Sequence, residues 1–239
     1  MEIIERMFMR YIFLVTIIFI SMNCFAKENN DIESCSEKYF DLDSQAIKYL
    51  KIRLPVYKCY FFKDNTGEYY LYLTERGDKA YKTEKLSSSI EAHLFKKSQD
   101  GSLKLQWVIR DFSNKDEAGV YFKTKLCDFV DIDGDGIVEP IVVYRYLNKS
   151  DEDSSDFDGD SFSGKIKIIM YYKGSKVAIR AKTSIYDGER ATTASATFFT
   201  LPPKVRSYLV SKMENMYNNK DFGFDNSYKF IPQRLNGDN

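Results

Sequence analysis

From Val56 onward, apolar and polar residues alternate over short runs, and turn residues interrupt the alternation at nearly regular intervals. "VYKCYFF" and "EYYLYLTE" flank "KDNTG", with Gly67 in the turn. "SSIEAHLFKKS" and "LKLQWVIRDF" flank "QDGS", and "KIKIIMYYK" and "KVAIRAKTSIY" flank Gly174 and Ser175. "KTKLCDFVDI" and "VEPIVVYRYL" flank an acidic, Gly-containing loop. Each pair predicts a hairpin. No long helical pattern separates them, so the expected body is mainly β: an antiparallel sheet of successive hairpins, either a sandwich or a partial propeller. The 18 Tyr and 18 Phe suit that body, because bulky rings pack well on a pleated surface.

The period changes near the C-terminus. In "LPPKVRSYLVSKMENMY", Val205, Tyr208, Leu209, Lys212, Met213 and Met216 form a stripe at three- and four-residue spacing, and Pro202 and Pro203 suit a helix entry. This predicts a C-terminal helix packed on the core. A shorter helix is expected at "DSQAIKYLKI", capped by Asp43 or Ser44. "NKSDEDSSDFDGDSFSG", from Asn148 to Gly164, predicts a long polar loop between strands of similar character, so residues 27–239 read as a single β-rich domain.

The first 26 residues have a different pattern. Arg6 and Arg10 precede an apolar run from Tyr11 to Ile20, and the segment ends in "CFA" at Ala26. A positive flank, a short apolar centre and a small terminal residue are the layout of a signal peptide, here residues 1–26. Glu2 and Glu5 are unusual in such a flank; initiation at Met7 or Met9 would remove them. An uncleaved anchor and a lipoprotein attached through Cys24 are the competing readings. With cleavage, the mature chain has no membrane span, and its expected location is the periplasm or the medium. In an oxidising compartment, Cys35 and Cys59 would close a loop of ~25 residues, worth on the order of 3 kcal/mol. Cys127 is then left as a free thiol on a strand.

Charge narrows the partners. Lys plus Arg and Asp plus Glu both number 35, which argues against nucleic acid as a partner. A single His, His93, excludes a zinc hydrolase with several His ligands. There is no G-x-S-x-G and no phosphate-cradling Gly loop. The expectation is therefore a protein without catalytic activity. Trp107, Tyr69, Tyr70, Tyr72 and Tyr144 would stack on sugars if exposed, but strand alternation sends about half of such residues to the core.

The most specific chemistry lies in "DIDGDGIVE", Asp131 to Glu139. Asp131, Asp133 and Asp135 alternate, Gly136 permits a sharp bend, and Glu139 follows as the ninth residue. A curled loop of this kind aims several carboxylates at one centre, and the backbone carbonyl of Ile137 is a natural further ligand. Calcium takes six to eight oxygens at ~2.3–2.6 Å, whereas magnesium keeps its waters, so calcium is the expected cofactor. An EF-hand needs Glu at position twelve, which here is Val142, and its flanks are helical; this loop is of another kind. The bland alternative is a metal-free acidic turn. "DFDGD", Asp156 to Asp160, repeats the alternation without the later acid and reads as a solvated loop.

The loop resembles the D-x-D-x-D-G-x-x-[DE] segment between strands of FG-GAP and related calcium-binding β-propeller repeats. That resemblance implies Asp131, Asp133, Asp135, the Ile137 carbonyl and Glu139 as ligands. Over residues 88–185, the order "LQWVIRDF", "FVDIDGDGIVEPIVVYRY", "KIKIIMYYKGSKVAIRAKT" resembles a family of exported bacterial proteins classed with surface polysaccharide biosynthesis. This implies a link to the cell surface and no mechanism. Three functional expectations follow. The first is a non-catalytic envelope protein with a calcium-stabilised loop and a protein or glycan partner. The second is a periplasmic immunity protein that inhibits a cognate toxin. The third is an envelope enzyme acting on glycans.

Overall fold

A computed structural model describes residues 49–81, 84–149, 163–225 and 230–235. The expected signal peptide, most of the short helix at "DSQAIKYLKI", Cys35 and the "DFDGD" segment lie outside the described residues. The chain runs β1 (Val56–Asp64), β2 (Gly67–Glu75), β3 (Lys79–Tyr81), β4 (Glu84–Leu86), β5 (Ser89–Lys97), β6 (Leu103–Phe112), β7 (Glu117–Phe122), β8 (Asp128–Val130), β9 (Glu139–Asn148), β10 (Gly164–Tyr172), β11 (Ser175–Thr183) and β12 (Ala191–Ala194). The short helix α1 (Ala196–Phe199), the long helix α2 (Pro203–Asn218) and β13 (Gln233–Arg234) follow. The molecule is mainly β, built from successive antiparallel hairpins with a C-terminal helix, and no barrel closes among the described residues.

Two main sheets form: β1-β2-β5-β6 with four strands, and a seven-stranded sheet in the order β13-β12-β11-β10-β9-β7, with β8 also on β9. Among the described strands, only the short β12–β13 pair is parallel. One core joins Phe62, Leu71, Leu73, Ile90 and Ile109 of the small sheet to Val142, Tyr144, Ile169 and Ala178 of the large one, so the sheets form a sandwich. A second core covers the other face of the large sheet: Ile141, Val143, Ile168 and Ile179 meet Val205, Leu209, Met213 and Met216 of α2. The order of layers is therefore sheet, sheet, helix. β9 is buried on both faces, which explains why "PIVVYRYL" reads as a nearly unbroken apolar run.

The β1–β2, β5–β6 and β10–β11 hairpins pair as the turn signals predict. One strand differs. "KTKLCDFVDI" is not continuous: Thr124–Leu126 is a 3-10 turn, and the strand begins at Asp128. β7 and β8 together form one interrupted neighbour of β9, β7 beside Tyr144–Asn148 and β8 beside Glu139–Ile141. The break positions Asp128, whose Oδ2 accepts from Lys212 Nζ at 2.6 Å and Tyr208 Oη at 3.0 Å on α2. Cys59 is disulfide-bonded to a partner outside the described residues, while Cys127 is free, its thiol pushed up to about 11 by burial and so unreactive.

Candidate metal-binding loop

The segment between β8 and β9 is the acidic loop. It curls because Gly134 and Gly136 adopt φ of +86° and +83°, a region that costs little only for glycine. At Gly136 there is a second demand: a Cβ would lie 1.9 Å from Asn65 Nδ2 in the β1–β2 turn. Asp131 organises the curl from within. Its Oδ1 accepts from the N–H groups of Gly134 (2.7 Å) and Asp135 (3.1 Å), and its Oδ2 accepts from Gly136 N–H (2.8 Å). Glu139, 4% exposed at the start of β9, reaches back across the loop and accepts from Ile132 N–H at 2.9 Å.

These bonds bring carboxylate oxygens of Asp131, Asp133 and Glu139 within 4.8 Å of one another. Among the described residues this is the one group of three or more side chains so arranged. The fourth predicted carboxylate, Asp135, stands apart: it accepts from Ile137 N–H at 3.0 Å and faces Lys173 Nζ at 3.3 Å. Ile137 itself is 37% exposed, and its N–H belongs to that same turn.

The loop is electrostatically loaded. Burial, reinforced by Asp133, Asp135 and Asp131, pushes Glu139 up to about 7, against the pull of the Ile132 N–H. Asp133 is held below the usual carboxylate range, chiefly by the Tyr172 hydroxyl, which donates to its Oδ2 at 2.7 Å, and also by Lys173 and Lys204. A cation among Asp131, Asp133 and Glu139 would relieve their mutual repulsion. The oxygen spread suits an ion bonded at ~2.3–2.6 Å, and an all-oxygen donor set suits a hard cation.

The loop also ties the sheets together. Asp64 at the end of β1 caps its own turn through Oδ1, to Thr66 and Gly67 N–H, while its Oδ2 accepts from Val138 N–H at 3.2 Å. Asn65 N–H donates to the Gly136 carbonyl at 3.0 Å. Tyr172 and Lys173 come from the β10–β11 turn, and Lys204 from the first turn of α2. All three layers thus meet at the loop. Sequence reading missed Asp64, Asn65, Tyr172, Lys173 and Lys204. The only local hint was the Asp-Asn pair in a turn, which also has the ordinary explanation of turn chemistry.

The other residues singled out from sequence lie elsewhere. His93 is buried on the outer face of the small sheet, 2.8 Å from Glu91 Oε2 and stacked on Phe95. Tyr70, Tyr72 and Tyr144 are buried, Tyr69 stacks on Phe62, and Trp107 stacks on Tyr171 at 4.7 Å. These rings serve packing. No described helix is long and apolar enough to cross a membrane. No protein-family model, no curated protein and no solved structure matches the chain.

Proposed function

We propose that this chain is an exported, non-catalytic binding protein of the cell envelope, and that its Asp131–Glu139 loop holds one calcium ion as a clasp between the two sheets. The observation that carries the metal part is the convergence of Asp131, Asp133 and Glu139 within 4.8 Å on a loop bonded to the β1–β2 turn. The resident counter-charge, Lys173, lies 3.3 Å from Asp135 and 3.9 Å from Asp133, so it competes with the ion for Asp133, and calcium displaces it there. Export rests on the charged flank and apolar run before Ala26, and the envelope setting on the resemblance to surface-polysaccharide proteins.

Titration calorimetry of the mature protein with calcium tests this reading. The expected result is one ion per chain, loss of binding in Asp131→Ala, tighter binding in Lys173→Met, and much weaker heat with magnesium. Absence of heat with calcium, or equal heat from Asp131→Ala, would overturn it.

A further inference from the structure

The small sheet has four strands and the large one seven, so the sandwich does not cover the large sheet fully. Beside the end of β6, a cleft of about 440 Å3 opens over β9–β12. Strand register sets out its floor. Tyr144, Lys167, Arg180 and Thr193 lie in one row across the four strands, and Tyr146, Lys165, Lys182 and Ala191 lie in the next. Four cations line the cleft, Lys165, Lys167, Arg180 and Lys182, against two carboxylates, Asp111 and Glu117. Those carboxylates are engaged: Asp111 Oδ2 accepts from Lys167 Nζ at 2.5 Å and Tyr144 Oη at 2.8 Å, and Glu117 Oε1 accepts from Lys165 Nζ at 3.0 Å.

Two buried donors are not fully used. Tyr146 is 4% exposed, and its buried hydroxyl closes no well-aligned hydrogen bond, although the Asp111 carboxylate lies near enough to hold its proton. Arg180 Nη1 is buried and has no hydrogen-bond partner. Buried donors without acceptors are rare because each forfeits its hydration, and a guanidinium forfeits more than a hydroxyl. Burial keeps Tyr146 in its neutral, proton-bearing form, so it stays a donor. At the rim Phe112 is 72% exposed, an apolar face beside the charged floor.

We infer that this cleft binds a small ligand bearing an oxyanion, a carboxylate or a phosphoryl group. Arg180 and Tyr146 donate to the oxyanion, the positive surplus left by Arg180 and Lys182 supplies the attracting field, and Phe112 covers the apolar side of the ligand. No residue of the acidic loop lines the cleft, so this site stands or falls independently of calcium.

Binding of inorganic phosphate, D-glucuronate and neutral glucose, followed by NMR shifts or calorimetry at low salt, tests the inference. Saturable one-site binding of phosphate alone identifies a phosphoryl ligand; glucuronate alone, or more tightly, identifies an acidic sugar. Glucose stays silent in either case. Tyr146→Phe keeps the ring and is expected to weaken binding about tenfold, the loss of one hydrogen bond to a charged group. Arg180→Met is expected to lose binding beyond about 100-fold. No saturable binding of either anion, or unchanged binding in Tyr146→Phe, overturns the site.

Discussion

His93 shows what burial does to a single side chain in this fold. Its ring is 1% exposed, and burial pulls its pKa below the usual value; the Glu91 carboxylate at 2.8 Å opposes that pull, and Arg110, itself bonded to Glu91, adds to it. Tyr72 of β2 lies opposite it in the sheet, and Phe95 stacks on it. Because the folded pKa is depressed, the unfolded chain binds the proton more readily. His93 therefore contributes stability above the unfolded value of about 6.5 that is lost as pH falls through that value toward the folded one. The comparison that isolates this contribution is urea unfolding of wild type and His93→Gln at several pH values. The gap between the two should shrink from pH 7.5 to pH 5.5; a constant gap would show that His93 does not titrate in this window.

At the scale of elements, the break between β7 and β8 converts an edge strand into a docking point for α2. Asp128 accepts from Lys212 and Tyr208, and the Lys212 side chain is only 9% exposed. Removing one partner of such a pair leaves a charge without compensation, whereas replacing both relieves it. Asp128→Ala is expected to cost about 3 kcal/mol, at the lower end of the range for broken buried pairs because Asp128 is partly exposed. In the Asp128→Ala, Lys212→Met double variant, most of that loss should return. Denaturant unfolding of the four proteins in the cycle checks this, and additive losses would contradict it. The stripe through Lys212 was readable from spacing, including its inward direction. Its partner was not, because Asp128 is 84 residues away and sits beside a strand break that no turn residue announces. β7 was equally obscure. "EAGVYF" is buried at nearly every position, so it lacks alternation, and its Gly119 is there for close approach: a Cβ would lie 2.5 Å from Leu86 Cβ. Hairpins marked by Gly or Asp turns were legible because their pairing is local. The division of those hairpins between two sheets was not, since it depends on which faces share a core.

At the scale of the whole molecule, the acidic loop is where the layers are joined, and its sequence motif conveyed only part of that. Alternating aspartates, Gly136 and the ninth-position Glu139 identified a curled acidic loop. They did not reveal that Gly136 must also admit Asn65, or that Asp64 reaches Val138 over 74 residues. Asp135 was grouped with the other carboxylates by spacing alone, whereas the structure sets it against Lys173, which approaches from the β10–β11 turn. The central claim is that calcium at Asp131, Asp133 and Glu139 locks the small sheet's turn to the large sheet. It is tested most directly by amide hydrogen exchange with and without calcium. If opening of the clasp requires release of the ion, the amides of Asn65 and Val138, which bridge the sheets, should exchange roughly 100-fold more slowly when calcium stands at 100 times its dissociation constant, with the edge strand β12 unaffected. Identical exchange of Asn65 and Val138 in the presence and absence of calcium would contradict the account.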